Sequence, residues 1–323
     1  MVGNFWQKLK KRGRPILALA PMAGFSDSSF RQICKKYGAD VLYSEMASAT
    51  ALFYNRQVRK NTTLDLLKFD RKKEGYYVVQ LFGSKPEHFA VATRIISNHI
   101  KPDGIDINFG CPVPKIIKQG AGSGLMKNLA NSRRVIEAVL ANTNLPVSIK
   151  IRTKAGDVEA SDFLKNIAGL PVAAVMIHGR TLNQGFAGPA DWKKIKEARR
   201  YFSGVILANG GINNLADANQ ALKESQADGL GLARGVLGRP WLYKEIKNNR
   251  VINLSVKKIF KIALEQAELI KQEKGGRGII DFRKHLVWYA QGLRDAAKLR
   301  AKMVQIKRYT DVKKILSDQS IFN

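Results

Sequence analysis

The sequence predicts an α/β chain: a (β/α)8 barrel followed by a small helical bundle. Three observations predict it. Eight short, β-rich apolar runs recur between residues 16 and 235, with turn and helix signals between them. Several runs are apolar on both faces, as strands of a parallel sheet are. After Trp241 the strand signals stop and helical ones continue. Eight strand–helix units fit the typical barrel length of about 250 residues. The barrel is therefore set at residues 1–250 and the helical region at 251–323.

In chain order the runs are 16–22 (ILALAPM), 41–46 (VLYSEM), 76–82 (YYVVQLF), 104–109 (GIDINF), 146–152 (PVSIKIR), 173–179 (AAVMIHG), 204–210 (GVILANG) and 229–235 (GLGLARG). Residues 28–37 read as a helix, with Ser26 and Asp27 as candidate caps and Gly38 at its end. Residues 129–142 and 216–225 read likewise. An open doubly wound sheet would want a glycine fingerprint directly after its first strand. Here that strand ends in Pro21-Met22-Ala23-Gly24. Gly120, Gly122 and Gly124 follow a lysine-bearing loop, and a mobile loop or lid is expected there. In the tail, a helix over 255–274 breaks at Gly275-Gly276; helices over 281–293 and 295–309 and a short last one follow.

The chain has 323 residues, 45% hydrophobic and 25% charged, which suits a folded protein and excludes a disordered one. No apolar run nears the roughly 20 residues of a membrane span, and the basic start lacks the apolar stretch of a secretory signal. Cys34 and Cys111 are the only cysteines, which excludes a disulfide framework and favours a reducing cytoplasm. The four histidines show no metal-ligand spacing, so no metal is expected. Lys plus Arg is 55 against 26 Asp plus Glu, a formal charge of +29. That excess favours a polyanionic partner, nucleic acid ahead of a membrane surface. From Leu254 onward the tail holds 16 basic and 7 acidic residues. Both parts are thus basic, and one polyanion can bridge them.

Reactive groups of such barrels sit at the C-terminal ends of the strands. Those ends offer Pro21, Met22 and Ala23; Ser44 and Glu45; Gln80; Asn108, Gly110 and Cys111; Lys150 and Arg152; His178 and Arg180; Asn209, Gly210 and Gly211; Ala233, Arg234 and Gly235. A scaffold alone needs no such concentration of polar and cationic groups at one rim; an anionic ligand does. The last two loops are where such barrels hold phosphate. There the glycines admit the backbone closely, and Arg234 supplies a planar cation. Cys111, in a Gly-Cys-Pro turn, suits either a thiol acid or a thiolate nucleophile with His178 as base. Cys34 lies in a helical pattern and reads as core. His88 and His99 flank a helix and read as surface residues. Arg283, Lys284 and His285 fall in one turn and are candidates for phosphate contact. Trp288 and Tyr289 either stack on a base or pack in a core.

Several segments occur in order over nearly the whole chain: Ala20-Pro21-Met22-Ala23-Gly24 with Asp27 and Phe30-Arg31; Ser44-Glu45-Met46; Gln80-Leu81-Phe82-Gly83; Asp106-Ile107-Asn108-Phe109-Gly110-Cys111-Pro112; Lys150-Ile151-Arg152-Thr153; His178-Gly179-Arg180-Thr181; Ala208-Asn209-Gly210-Gly211; Gly238-Arg239-Pro240-Trp241; and Arg283-Lys284-His285 with Trp288-Tyr289. In these the chain resembles the bacterial tRNA-dihydrouridine synthases, which are FMN flavoenzymes, and most of all their B type.

The resemblance implies a set of roles. FMN lies across the barrel mouth, with Pro21, Met22 and Ala23 beside its ring system and Gln80 and Lys150 at its polar edge. Asn209, Gly210, Gly211, Ala233 and Arg234 hold its phosphate, with His178 nearby. Asn108, Arg152 and Arg180 hold the target uracil. NADPH reduces FMN, hydride passes to C6 of uracil, and Cys111 protonates C5. Arg283, Lys284 and His285 bind tRNA, which makes residues 251–323 an RNA-binding domain. A cytoplasmic monomer without a metal or membrane partner is implied. Two positions depart from the family pattern: Ala233 replaces a glycine, adding a methyl near the phosphate, and Gly211 stands where the B type often has an acid. Two rival readings are a flavoenzyme acting on a free pyrimidine and a non-catalytic RNA-binding barrel. The first leaves the basic tail unexplained, the second Cys111 with Lys150 and the phosphate loops.

Overall fold

The structure is a computed structural model describing residues 4–55 and 61–318. Ten strands occur among the described residues: β1 (Ile16–Leu19), β2 (Val41–Ser48), β3 (Tyr76–Phe82), β4 (Gly104–Asn108), β5 (Val147–Arg152), β6 (Lys154–Ala155), β7 (Val158–Glu159), β8 (Ala174–His178), β9 (Val205–Asn209) and β10 (Gly229–Leu232). Eight close into a parallel barrel in the order β1-β10-β9-β8-β5-β4-β3-β2, while β6 and β7 form a separate antiparallel pair. The expected (β/α)8 barrel is present, and each predicted run falls on one of its strands, with β2 extending two residues beyond its run.

Alternation along each strand decides what faces the interior. Leu17, Leu19, Val79, Leu81, Ile105, Ile107, Ile149, Ile151, Val175 and Ile177 pack outward under the helices. Ile16, Ala18, Val41, Tyr43, Val78, Met176, Val205 and Leu207 fill the barrel's base. The same parity carries Asp106 and Asn108 on β4, and Ser148, Lys150 and Arg152 on β5, to the inside. The N-terminal helix Phe5–Lys10 closes the bottom, with Asn4 as N-cap. Its Trp6 is fully buried against Tyr43, at 6.5 Å between ring centroids, and burial of such a ring is worth about 2–3 kcal/mol. This plug lies in a stretch whose basic composition masked it.

Asp27 caps the helix Ser28–Lys36, its carboxylate accepting from the Phe30 N–H at 2.9 Å. Gly38 follows with φ of +114°, the left-handed region glycine favours. The tail begins with the helix Val256–Leu286, kinked at Gly275, where φ is +60° and ψ −146°. It continues through the 3-10 turn Val287–Ala290 and the helices Ala296–Met303 and Tyr309–Leu316. The expected helix over 281–293 is thus the end of the long helix plus a 3-10 turn. The tail's core of Phe260, Ile270, Phe282, Leu286, Tyr289 and Met303 also takes in Ile33 and Trp241 of the barrel. Barrel and tail therefore share apolar surface. Among the described residues no helix is long and apolar enough to cross a membrane.

Candidate active site

A cavity of about 450 Å³ opens at the C-terminal mouth of the barrel. It collects Pro21, Met22, Ala23, Gln80, Asn108, Cys111, Lys150, Arg152, His178, Arg180, Asn209, Gly210, Gly211, Ala233 and Arg234, every rim residue singled out for cofactor, uracil or catalysis. Phe25, Phe186, Leu237 and Trp288 also line it; sequence order gave no means to bring these aromatic and apolar walls together.

Cys111 is presented by a tight turn. Asn108 ends β4 facing inward, and its Oδ1 accepts from the N–H groups of Gly110 (3.1 Å) and Cys111 (2.9 Å). The segment expected to be a mobile loop is instead two short helices, Pro114–Lys118 and Ser123–Met126. Gly122 and Gly124 serve packing. Gly122 has φ of +57°, and a Cβ there would lie 2.9 Å from Cys111 Cβ. Ser123 N–H donates to the Cys111 carbonyl at 3.1 Å. Burial pushes the Cys111 thiol up, against the pull of a backbone hydrogen bond and of Lys150 and Arg152. The residue is therefore a neutral thiol.

Beside it stands a cationic wall. Lys150 is drawn down to about 8 by burial and by Arg152. Arg152 donates through Nε to Gly110 O (2.8 Å) and through Nη1 to Thr181 O (2.8 Å) and Gly185 O (3.0 Å). It ties the loop after β4 to the loop after β8 while lining the cavity. Arg180 donates through Nε to Gly188 O at 2.8 Å, and its Nη1 lies 3.3 Å from His178 Nε2. His178 is pushed far down by burial and by Lys150, Arg152, Arg180 and Arg234. Neutral, it accepts from Arg180 at Nε2 and carries its proton on Nδ1. Deprotonating Cys111 would make it cationic against those four groups, so His178 is no base for a nucleophile.

The last two loops form the opposite wall. Asn209 Nδ2 donates to Gly231 O at 2.7 Å, locking β9 to β10. Gly210 and Gly211 have φ of +96° and +74°. A Cβ on Gly210 would meet His178 Cδ2 at 2.3 Å, so the imidazole itself demands glycine there. Ala233, the position that departs from glycine, has a negative φ of −127°. Arg234 is exposed, its guanidinium 4.7 Å over the Phe186 ring. Among the described residues that line the cavity none is Asp or Glu. Four cations without a carboxylate make this an anion site.

The tail residues do not share one face. Consecutive helical residues point about 100° apart, so one turn scatters them. Arg283 donates through Nε to Ile306 O at 2.8 Å, inside the bundle. Lys284 Nζ reaches the loop after β1, 5.8 Å from the Phe25 ring centroid. His285 is 1% exposed, packed on Phe25 and Phe30 with Nε2 at 3.8 Å from Asp27 Oδ2, and burial holds it down at about 4. The expectation that His285 meets phosphate is therefore corrected, since it has no solvent face. Tyr289 is buried, donating to Gln266 Oε1 at 2.7 Å, which leaves Trp288 as the aromatic at the cavity wall. His88, expected on the surface, is buried and stacked on Phe53 at 4.2 Å.

Comparison with known proteins points the same way. The family model described as dihydrouridine synthase matches residues 18–323. A probable tRNA-dihydrouridine synthase of Aquifex aeolicus is 30% identical over 95% of this chain and 96% of its own. The tRNA-dihydrouridine synthase B of Pasteurella multocida is 32% identical over 90% and 87%. Among solved structures, histamine dehydrogenase from Rhizobium sp. 4-9 superposes with a TM-score of 0.54 at 13% identity, over 79% of this chain and 49% of that one. That likeness speaks for the fold.

Proposed function

The chain belongs to the dihydrouridine synthase family, and we propose that it reduces the C5–C6 bond of uridines in tRNA, using bound FMN and NADPH as reductant. The observation that carries this reading is Cys111, a neutral thiol held at a cation-lined, carboxylate-free cavity. The residues present fit FMN. Gly210, Gly211, Ala233 and Arg234 would take its phosphate, Lys150 and Gln80 the polar edge of its ring, and Met22 and Ala23 its apolar face. When bound and reduced, FMN would supply the hydride for C6 of uracil.

The chain's own residues do the rest. Cys111 Sγ gives its proton to C5, as a general acid whose raised pKa keeps it loaded at neutral pH. Lys150 and Arg152 then face the thiolate left behind and stabilise it until solvent returns a proton. Arg180 and Asn108 stand where the polar edge of uracil would lie. The base must leave the RNA stack to enter the cavity. The overall +29 charge would hold the folded RNA by its phosphates. The test is to map dihydrouridine in tRNA from cells with and without this gene. Identical maps would refute the reading.

A further inference from the structure

Beneath the cavity floor a continuous chain of hydrogen bonds runs from β5 through β4 and β3 to the Cys111 turn. Ser148 Oγ donates to Asp106 Oδ1 at 2.6 Å. Gln80 Nε2 donates to Asp106 Oδ2 at 2.7 Å. Asn108 Nδ2 donates to Gln80 Oε1 at 2.8 Å. Asn108 Oδ1 then receives the N–H groups of Gly110 and Cys111. Asp106, Ser148 and Gln80 are each at most 1% exposed and Asn108 is 7% exposed, so water offers little alternative partner.

The two ends of this chain have fixed polarity. Burial raises the Asp106 carboxyl to about 6, against the hydrogen bonds from Gln80 and Ser148, so at neutral pH it is mostly ionised and only accepts, while a backbone N–H only donates. The two amides between them can each be turned either way, and only one pair of orientations satisfies both ends. Resting on the reading of Cys111 as the proton donor, we propose that Asp106 is a positioning residue for it. Its carboxylate sets the direction of the Gln80 amide, which sets that of Asn108, which holds the turn that aims the thiol. The direction of the Gln80 amide also fixes which of its groups remains for a ligand in the cavity.

The idea is tested by moving the acceptor along the chain. Asp106→Leu removes it. Gln80→Leu cuts the chain in its middle; Gln80→Glu alone does not, because two facing carboxylates keep one proton between them and the neutral acid donates and accepts as the amide does. The double variant Gln80→Glu with Asp106→Asn exchanges acid and amide. There the amide introduced on β4 donates to the carboxylate introduced on β3 while still accepting from Ser148, and that carboxylate accepts from Asn108. The buried charge is conserved and the Asn108 orientation is restored. Asp106→Asn alone should be mild, because the Ser148 hydroxyl can turn round to accept.

The readouts are the rate at which iodoacetamide alkylates Cys111, followed by peptide mapping, and dihydrouridine formation on tRNA. Asp106→Leu and Gln80→Leu should each change the alkylation rate by about tenfold, the weight of one net hydrogen bond, and lose most turnover. The double variant should keep alkylation within about threefold of wild type. Should Asp106→Leu fail to fold, Gln80→Leu and the double variant still decide. A double variant no better than Gln80→Leu, or wild-type Cys111 reactivity in folded Asp106→Leu, overturns the proposal. If wild type itself forms no dihydrouridine, the function is misread, but the alkylation series still judges Asp106.

Discussion

Lys150 gives a prediction whose size follows from its surroundings. Burial and Arg152 draw it from its ordinary 10.5 to about 8, a bias of about 3 kcal/mol against its cation. At pH 8.5 about three quarters of the protein therefore carries neutral Lys150. The polar edge of the flavin ring, proposed to lie against Lys150, offers acceptors that favour the ammonium, so binding FMN should draw a proton from solution. The uptake should approach about 0.7 proton at pH 8.5, where the FMN phosphate, already a dianion with its second pKa at about 6, takes up none. His178 contributes nothing, being neutral with or without ligand, and Cys111 stays protonated. Calorimetric titration of FMN into the protein in buffers of different ionisation enthalpy measures the uptake, and Lys150→Met should abolish it. The same shift has a stability side. The folded pKa is depressed, so the benefit is full above the unfolded value near 10.4 and is lost as pH falls through 8. The flavin-free protein should gain stability between pH 8 and 10. Absence of proton uptake at pH 8.5, or equal uptake in Lys150→Met, would refute the placement of Lys150 against the ligand.

Other expectations are more direct. Cys111→Ala should keep its flavin and lose about 10²–10⁴-fold in dihydrouridine formation, the usual loss for a general acid; near wild-type rates would remove it from the mechanism. Gly210→Ala should purify without flavin absorbance, because its Cβ would drive His178 into the cavity. Glu74→Gln should lower stability by about 3–5 kcal/mol in denaturant unfolding, since it strands Arg31, which is fully buried against it. Arg283→Gln should leave the salt dependence of tRNA binding unchanged and lower the thermal midpoint, as its guanidinium holds Ile306; a flatter salt slope would return it to the RNA surface. Ending the chain at residue 250 should yield aggregated or flavin-poor protein by light scattering and absorbance, because it bares Ile33 and Trp241 and removes Trp288 from the cavity.

The barrel was legible because eight short apolar runs recur with helix and turn signals between them, and the rim residues were legible as the ends of those runs. In Gly104–Asn108 and Val147–Arg152 the outward positions are isoleucine or valine, and the inward ones after Gly104 are polar. Cys111 was legible from its place after the fourth strand. What lay hidden depends on contacts between distant segments. Asp106 reads as one acid within an apolar strand until Gln80 and Ser148 are brought to it. Glu45, which accepts the Gly24 N–H and so pins the loop after β1, is equally mute alone. The tail misled for a geometric reason. Arg283, Lys284 and His285 look like one basic cluster in a line of text, but a helix sends them to the bundle, the barrel and the buried seam. Gly122 and Gly124 misled because glycine serves close packing as readily as mobility.

With Cys111 as the proposed proton donor, the electrostatics of the rim favour the product side of that transfer. Before transfer, burial keeps Cys111 a thiol, and the nearby cations fail to ionise it. They themselves rest in an unfavourable state, Lys150 drawn down to about 8 by burial and Arg152, and Arg152 to about 10 by burial and Arg180. After the proton leaves, the thiolate becomes a partner for both, and the same burial that opposed ionisation strengthens their attraction to it. A charge arrangement that is costly in the resting protein and relieved as sulfur becomes an anion lowers the barrier, because it binds the charge that develops in the reaction. His178 shows the other half of the logic. A protonated imidazole there would repel the ligand's companion cations, so the fold keeps it neutral and uses it as an acceptor that fixes Arg180. The four cations at the mouth would thus serve two anionic groups of the proposed reaction, the phosphate of FMN and the transient thiolate.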